Sequence, residues 1–281
     1  MPLNLEQEKL LCKLWEASEE KYQEFCQKIK DLRNKDQVVK KINHKVIHCG
    51  DVIEIYEFEY PTIIGLERKK KPASSINQPV ISNPKTLLKK KLSKTMRIYH
   101  NFIRLAYVNF NNTQSRFVTL TFLAQDTDLG ECNKCFDSFM KRMRRRFGKT
   151  FKYIAVPSFD SIGSIRYHMF FDIAVEHVEL SALWSHGRTY IKLIQGSKSL
   201  DKLIFKYMRQ TLLDEKSDKR LIGKKTYFKS RNLNKPVELY NQNALNVLEQ
   251  FHQNPNEQYP VKIYESVYNG EVKYQKLVTK T

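Results

Sequence analysis

The strongest constraint on the fold is the order in which the apolar pattern changes between residues 117 and 213. Residues 117–122, Phe-Val-Thr-Leu-Thr-Phe, form a β-branched and aromatic run that reads as a strand. Phe136, Phe139, Met140, Met143 and Phe147 then recur at helical spacing. Two apolar runs, at 155–159 and 164–173, flank a short polar turn at 160–163 and read as a hairpin. Helical patterns at 178–186 and 199–213 enclose a strand at 189–194. This is the β-α-β-β-α-β order of a split βαβ, ferredoxin-like α+β domain with a central, largely antiparallel sheet. It places the 117–122 strand beside the second strand of the hairpin. Side chains alternate between the faces of a strand, so Ile165, Tyr167, Met169 and Phe171 share one side of that strand and Arg166, His168 and Phe170 the other. Thr119, Thr121, Arg166 and His168 are expected to form one polar patch, and the helix carrying Tyr207 is the next element able to cross it.

Charge narrows the partner. The 281 residues carry 49 Lys and Arg against 30 Asp and Glu, a formal net charge of +19, with 41% hydrophobic residues. The hydrophobic content suits a folded chain, and the excess of cations points to a polyanion. No apolar run approaches the length of a membrane span and the N-terminus is acidic and amphipathic, so nucleic acid is the expected partner rather than a membrane. Five cysteines at irregular spacing fit a reducing cytoplasm better than a disulfide framework.

The flanks read as extensions, dividing the chain into 1–91, 92–236 and 237–281. Residues 4–36 have the periodicity of an amphipathic helix, residues 52–60 alternate as a strand, and 68–94 read as an exposed basic linker that either is simply solvated or tracks a phosphate backbone. Helical periodicity resumes over 92–110, and residues 219–236 read as basic and weakly structured. A short helix at 240–252 and a hairpin through Asn269-Gly270 are expected after residue 237. His44 and His48 stand four apart, but the neighbouring Val46, Ile47 and Ile53 favour a strand over a metal-binding helix. Cys132 and Cys135 form a lone C-x-x-C, a weak metal or redox signal without a second pair. Lys141, Arg142, Arg144, Arg145 and Arg146 crowd one stretch of helix. Arg142, Arg144 and Arg145, with Lys202, Arg209, Lys229 and Arg231, are candidate phosphate contacts.

Several stretches together resemble the rolling-circle replication initiators of the histidine-hydrophobe-histidine endonuclease class, including the filamentous-phage gene II type. Residues 117–122 are similar to that family's first motif. Gly163-Ser164-Ile165-Arg166-Tyr167-His168 sits where its His-hydrophobe-His motif follows a glycine. Trp184 and Gly187 match a Trp-x-x-Gly feature. Lys206-Tyr207 matches the end of a Tyr-x-x-Lys-Tyr motif, and residues 227–236 resemble a Tyr-Phe-x-Ser-Arg-x-Leu-x-x-Pro segment. The resemblance spans roughly residues 92–236. It implies that histidines and an acidic residue hold one Mg²⁺ or Mn²⁺, here His168 with Asp160. It also implies that Tyr207, assisted by Lys206, attacks a phosphate of single-stranded origin DNA to leave a 5′-phosphotyrosine and a free 3′-OH.

The sequence departs from this pattern at its chemical centre. Arg166 replaces the first histidine, Ser158 stands at the usual acidic position, and Leu203 replaces the first tyrosine. A guanidinium about 4 Å from a divalent ion is repelled by roughly 8 kcal/mol at an effective dielectric near 20. Arg166 therefore swings away or takes the metal's place on the phosphate. The expectation is a DNA-binding replication initiator that nicks through tyrosine. The alternatives are an initiator that binds origin or single-stranded DNA without nicking, and an RNA-binding protein on a ferredoxin-like sheet. The sequence has no Gly-x-x-x-x-Gly-Lys-Ser/Thr loop, so strand separation is expected to need a partner helicase.

Overall fold

In the computed structural model, the structure describes residues 40–64, 84–123, 128–160, 163–213, 218–221, 224–252, 255–266 and 268–279. The expected 4–36 helix and most of the 68–94 linker lie outside these. The chain forms two compact units. One takes the strands up to His48 and from Ile53, together with residues from Glu238 on; the other takes Cys49–Val52 and Ile81–Val237.

The first unit is a sheet. Strands β1 (Lys40–Cys49) and β2 (Val52–Ile64) share it with β8 (Val237–Tyr240), β9 (Pro255–Gln258), β10 (Lys262–Ser266) and β11 (Gly270–Thr279) in the order β10-β11-β2-β1-β8, with β9 also on β11. Val46, Ile53, Ile55 and Leu277 pack with Ala244 and Leu248 of the Gln242–His252 helix. The expected hairpin through Asn269-Gly270 is the β10–β11 pair. Strands from both flanks of the 92–236 segment share this sheet. His44 and His48 lie on β1.

The second unit follows the β-α-β-β-α-β order. β3 (Arg116–Thr121), the helix Leu129–Phe147, β4 (Tyr153–Phe159), β5 (Ile165–Phe171), the helix His177–Trp184 and β6 (Thr189–Leu193) come in sequence, followed by a helix that runs from Gly196 to Leu212. The sheet order is β6-β3-β5-β4-β7, which is ferredoxin-like, and its pairings are antiparallel. β7 (Phe228–Lys229) gives the stretch expected to be weakly structured a place at the sheet edge. Ser230 fastens it: its Oγ accepts from Tyr153 N at 3.2 Å and its N–H donates to Tyr153 O at 3.0 Å.

Val118, Leu120, Tyr167, Met169 and Phe171 pack against Phe136, Phe139, Met140 and Met143 of the 129–147 helix and against Leu180 and Trp184 of the 177–184 helix. Cys132 is buried in that layer and Cys135 is half-buried, so both serve the packing. A long helix, Pro84–Asn109, replaces the expected linker over residues 84–91. Proline suits the first turn of a helix, and the Lys and Leu residues behind it are good helix formers. Among the described residues no helix is long and apolar enough to cross a membrane.

Candidate nucleic-acid interface

The register of the central strands builds the patch. Thr119 pairs with His168, Thr121 with Arg166, and Ser158 with Arg166 from the other side. Ladder partners point to the same face, so Thr119, Thr121, Arg166, His168 and Ser158 share the side of the sheet away from the 129–147 helix. One end of this side is covered. Phe110, at the end of the long helix, approaches Phe170 with ring centroids 6.0 Å apart, and Tyr107 of that helix donates to Asp201 of the 196–212 helix. The other end, around Thr121 and Arg166, remains open, with Arg166 exposed.

Tyr207 sits where covered and open ends meet. Its ring stacks on Phe117 with centroids 5.0 Å apart and tilts over the His168 ring at 5.2 Å. The Phe117 and His168 rings are themselves nearly parallel, 10° apart. Tyr207 lies within a π-helical turn, Ile204–Met208, between the α-helical segments Gly196–Leu203 and Arg209–Leu212. Such turns insert a residue into the helix and frequently occur at functional sites. Leu203 is buried, whereas Tyr207 is half-exposed. The Lys206 ammonium stands 5.1 Å from the Tyr207 ring centroid, placing a positive charge next to the phenol.

His168 is only 6% exposed. Its Nδ1 lies 2.9 Å from Thr119 Oγ1, a hydrogen bond whose direction depends on the tautomer. Burial, and secondarily the nearby Arg166 charge, lowers its pKa to about 4. The imidazole is therefore neutral at physiological pH, ringed by Phe117, Tyr207 and Thr119. The expected patch is thus closed over His168 and open only toward Thr121 and Arg166. Its neighbours are aromatic rings and one hydroxyl.

Arg166 is not turned away from the patch but fixed at its rim. Its Nη2 donates to Asp160 Oδ2 at 2.9 Å, while Asp160 Oδ1 accepts from Ser164 N at 2.8 Å. Gly163 adopts a left-handed φ of 82° in this turn and donates to Asp160 O at 3.0 Å, which explains the glycine before the motif. These contacts test the fit of a divalent ion. Asp160 is engaged by a guanidinium, one nitrogen of His168 by a hydroxyl, and a cation shares the face. Among the described residues no three His, Cys, Asp or Glu side chains stand together as a ligand set. The donor set does not fit Mg²⁺ or Mn²⁺.

The remaining basic candidates are dispersed. The 129–147 helix lies on the opposite side of the sheet from Arg166 and His168. Arg142 is half-buried there, donating through Nε to Leu183 O at 2.7 Å and through Nη2 to Trp184 O at 3.3 Å. It thus satisfies carbonyls at the C-terminus of the 177–184 helix. Arg144 lies 5.9 Å from the Tyr153 ring centroid, and Arg145 is exposed without an ion pair among the described residues. Lys202 is exposed on the tyrosine-bearing helix, where Arg209 stacks 5.0 Å from the exposed Phe205 ring. Lys229 and Arg231 are exposed at β7.

Two features escaped the sequence reading. Phe117 is the floor beneath Tyr207, and strict alternation from Thr119 would have found it. The Trp-x-x-Gly feature is a clamp on the end of β3. Trp184 Nε1 donates to Thr121 O at 2.8 Å, Thr121 N to Arg188 O at 2.9 Å and Leu123 N to His186 O at 3.0 Å. A Cβ on Gly187 would overlap the Thr121 carbonyl oxygen, so only glycine allows this approach.

Residues 115–212, from the start of β3 to the end of the tyrosine-bearing helix, match the family model described as replication-associated protein ORF2/G2P. No curated protein and no solved structure matches the chain. The matched segment holds β3–β6, the Thr119–His168 pair and Tyr207, so the likeness to replication-associated proteins of the ORF2/G2P type covers residues 115–212.

Proposed function

We propose that this chain initiates DNA replication by binding single-stranded origin DNA on the open end of the Thr121–Arg166 face and transferring one strand to Tyr207. The observation that carries this reading is Tyr207 itself, held by a π-helical turn against Phe117 and His168 at the edge of the opening, with Lys206 alongside. In the step, the Tyr207 phenol oxygen attacks phosphorus and the bond to the 3′ oxygen breaks. The phenol proton passes to solvent, and the departing oxygen takes up a proton to become a 3′-OH. One phosphodiester replaces another, so no external energy source enters.

A phenol with an ordinary pKa near 10 needs cationic help at neutral pH. Arg166 supplies it in the proposal, because a guanidinium grips two phosphate oxygens at once. Asp160 keeps it extended until DNA arrives. An exposed ion pair of this kind contributes only about 0–1 kcal/mol, so exchange of carboxylate for phosphate costs little. Strand separation is assigned to a partner helicase.

The test is incubation of the chain with single-stranded origin DNA labelled at its 3′ end, followed by denaturing electrophoresis. A labelled adduct from the wild type and none from Tyr207→Phe is expected, with unchanged DNA binding. An adduct that survives Tyr207→Phe would place the chemistry elsewhere. Binding without any adduct would favour an initiator that only holds its origin, a reading supported by the half-burial of Tyr207 on Phe117.

A further inference from the structure

β6 is the edge strand on the β3 side of the sheet, and its register with β3 pairs Tyr190 with Thr119 and Lys192 with Phe117. Tyr190 and Lys192 therefore point to the side that carries His168 and Tyr207. The intervening Ile191 pairs with Val118 and packs into the helix-side core, as alternation requires. One row thus crosses three strands from Tyr190 through Thr119 to His168. At two strand spacings, Tyr190 lies about 10 Å from His168.

Tyr190 is 51% exposed and makes no ring contact or hydrogen bond with another described side chain. Its flanks are polar and cationic: Lys192 two positions on and Arg188 two positions back are both exposed. An aromatic anchor for a protein partner sits among other apolar groups at the centre of a patch. A lone ring between cations beside a polar row is instead the combination that binds a single strand, with base on ring and phosphate on lysine.

We infer that Tyr190 and Lys192 form a single-stranded DNA subsite on the edge strand, one base stacking on the Tyr190 ring and Lys192 neutralising an adjacent phosphate. The subsite feeds the strand along the row toward Arg166 and Tyr207, and in this it rests on the function proposed above. Stacking tolerates any base, so the subsite adds affinity and leaves origin sequence to be read elsewhere.

The experiment is fluorescence anisotropy of labelled oligo(dT) with the full chain and its Tyr190→Ala, Tyr190→Phe and Lys192→Ala variants, with oligo(rU) and duplex DNA in parallel. Tyr190→Ala should weaken oligo(dT) binding by about 5- to 100-fold. Tyr190→Phe keeps the ring and should bind within about twofold of wild type. Lys192→Ala should lower the log-log salt slope by about 0.7, the single-strand value for one phosphate, and Tyr190→Ala should leave that slope unchanged. Because Tyr190 is exposed, equal melting temperatures are expected for all variants. Tyr190→Ala binding within twofold of wild type overturns the subsite. Oligo(rU) bound as tightly, with the same dependence on Tyr190, overturns its assignment to DNA. Loss of the Tyr207 adduct with Tyr190-dependent binding intact removes the proposed chemistry and leaves the subsite; a wild type that does not bind oligo(dT) removes both.

Discussion

Replacing Gly187 by alanine should unsettle the open end of the site through the backbone of β3, with no change to any side chain there. The added Cβ would overlap the Thr121 carbonyl oxygen and lie 2.8 Å from both Thr121 C and Phe122 Cα. All three are backbone atoms, so no side-chain rotation relieves the clash. The 184–188 turn must retreat from β3, which stretches the bonds from Trp184 Nε1, Thr121 N and Leu123 N. At about 1 kcal/mol for each hydrogen bond, the loss is roughly 3 kcal/mol. Burial of Trp184 leaves its indole N–H with no water to turn to. The assay is urea unfolding followed by tryptophan fluorescence. The sequence holds two tryptophans, Trp15 and Trp184, so a Trp15→Phe background makes Trp184 the sole reporter. The midpoint should fall with the slope unchanged. Gly130→Ala is the control: there a Cβ meets only the Asp128 carboxylate, at 3.3 Å, and stability should stay within about 1 kcal/mol. A loss below about 1 kcal/mol for Gly187→Ala would refute the reasoning.

The lowered pKa of His168, about 4 against an ordinary 6.5, makes stability depend on pH. The unfolded chain takes up a proton that the folded chain refuses, so stability is complete above about pH 6.5 and falls by roughly 3 kcal/mol as pH drops to 4. Urea midpoints of wild type and His168→Gln should diverge across that window, and parallel curves would show that the imidazole is not held neutral. Arg142→Ala should cost about 1–3 kcal/mol, because it strips the Leu183 and Trp184 carbonyls of a charged donor. Arg145→Ala should leave the unfolding midpoint in place, since its guanidinium is exposed and unpaired among the described residues. Equal midpoints for the two arginine variants would contradict these distinct roles.

The second unit was legible because its strands alternate cleanly. Val118 and Leu120 face one way, Thr119 and Thr121 the other, and the same alternation on β5 set Arg166 and His168 beside them. The first unit was not legible, because nothing local in β1 and β2 reveals that they share a sheet with β10 and β11, some two hundred residues on. The basic stretch before residue 92 hid a helix start, since a run of lysines is compatible with a linker and with a helix alike. Charge alone suggested Arg142 as a phosphate contact. Its carbonyl partners lie 41 and 42 residues away, beyond any local pattern. The π-helical turn was hidden too: Leu203 and Tyr207 share a face at ordinary helical spacing, yet one is buried and the other half-exposed.

The central claim is that the Arg166 guanidinium and Lys206 meet the scissile phosphate at Tyr207, where the donor set does not fit a divalent ion. The direct measurement is the yield of the Tyr207–DNA adduct on 3′-labelled single-stranded origin DNA, in excess chelator and in Mn²⁺, for wild type and Arg166→Gln. The account predicts an adduct in chelator at a yield close to that in Mn²⁺, mapped to Tyr207 by mass spectrometry of the digested complex, and at least a tenfold loss in Arg166→Gln, equivalent to about 1.4 kcal/mol. An adduct that forms only with Mn²⁺ and is indifferent to Arg166→Gln would contradict it.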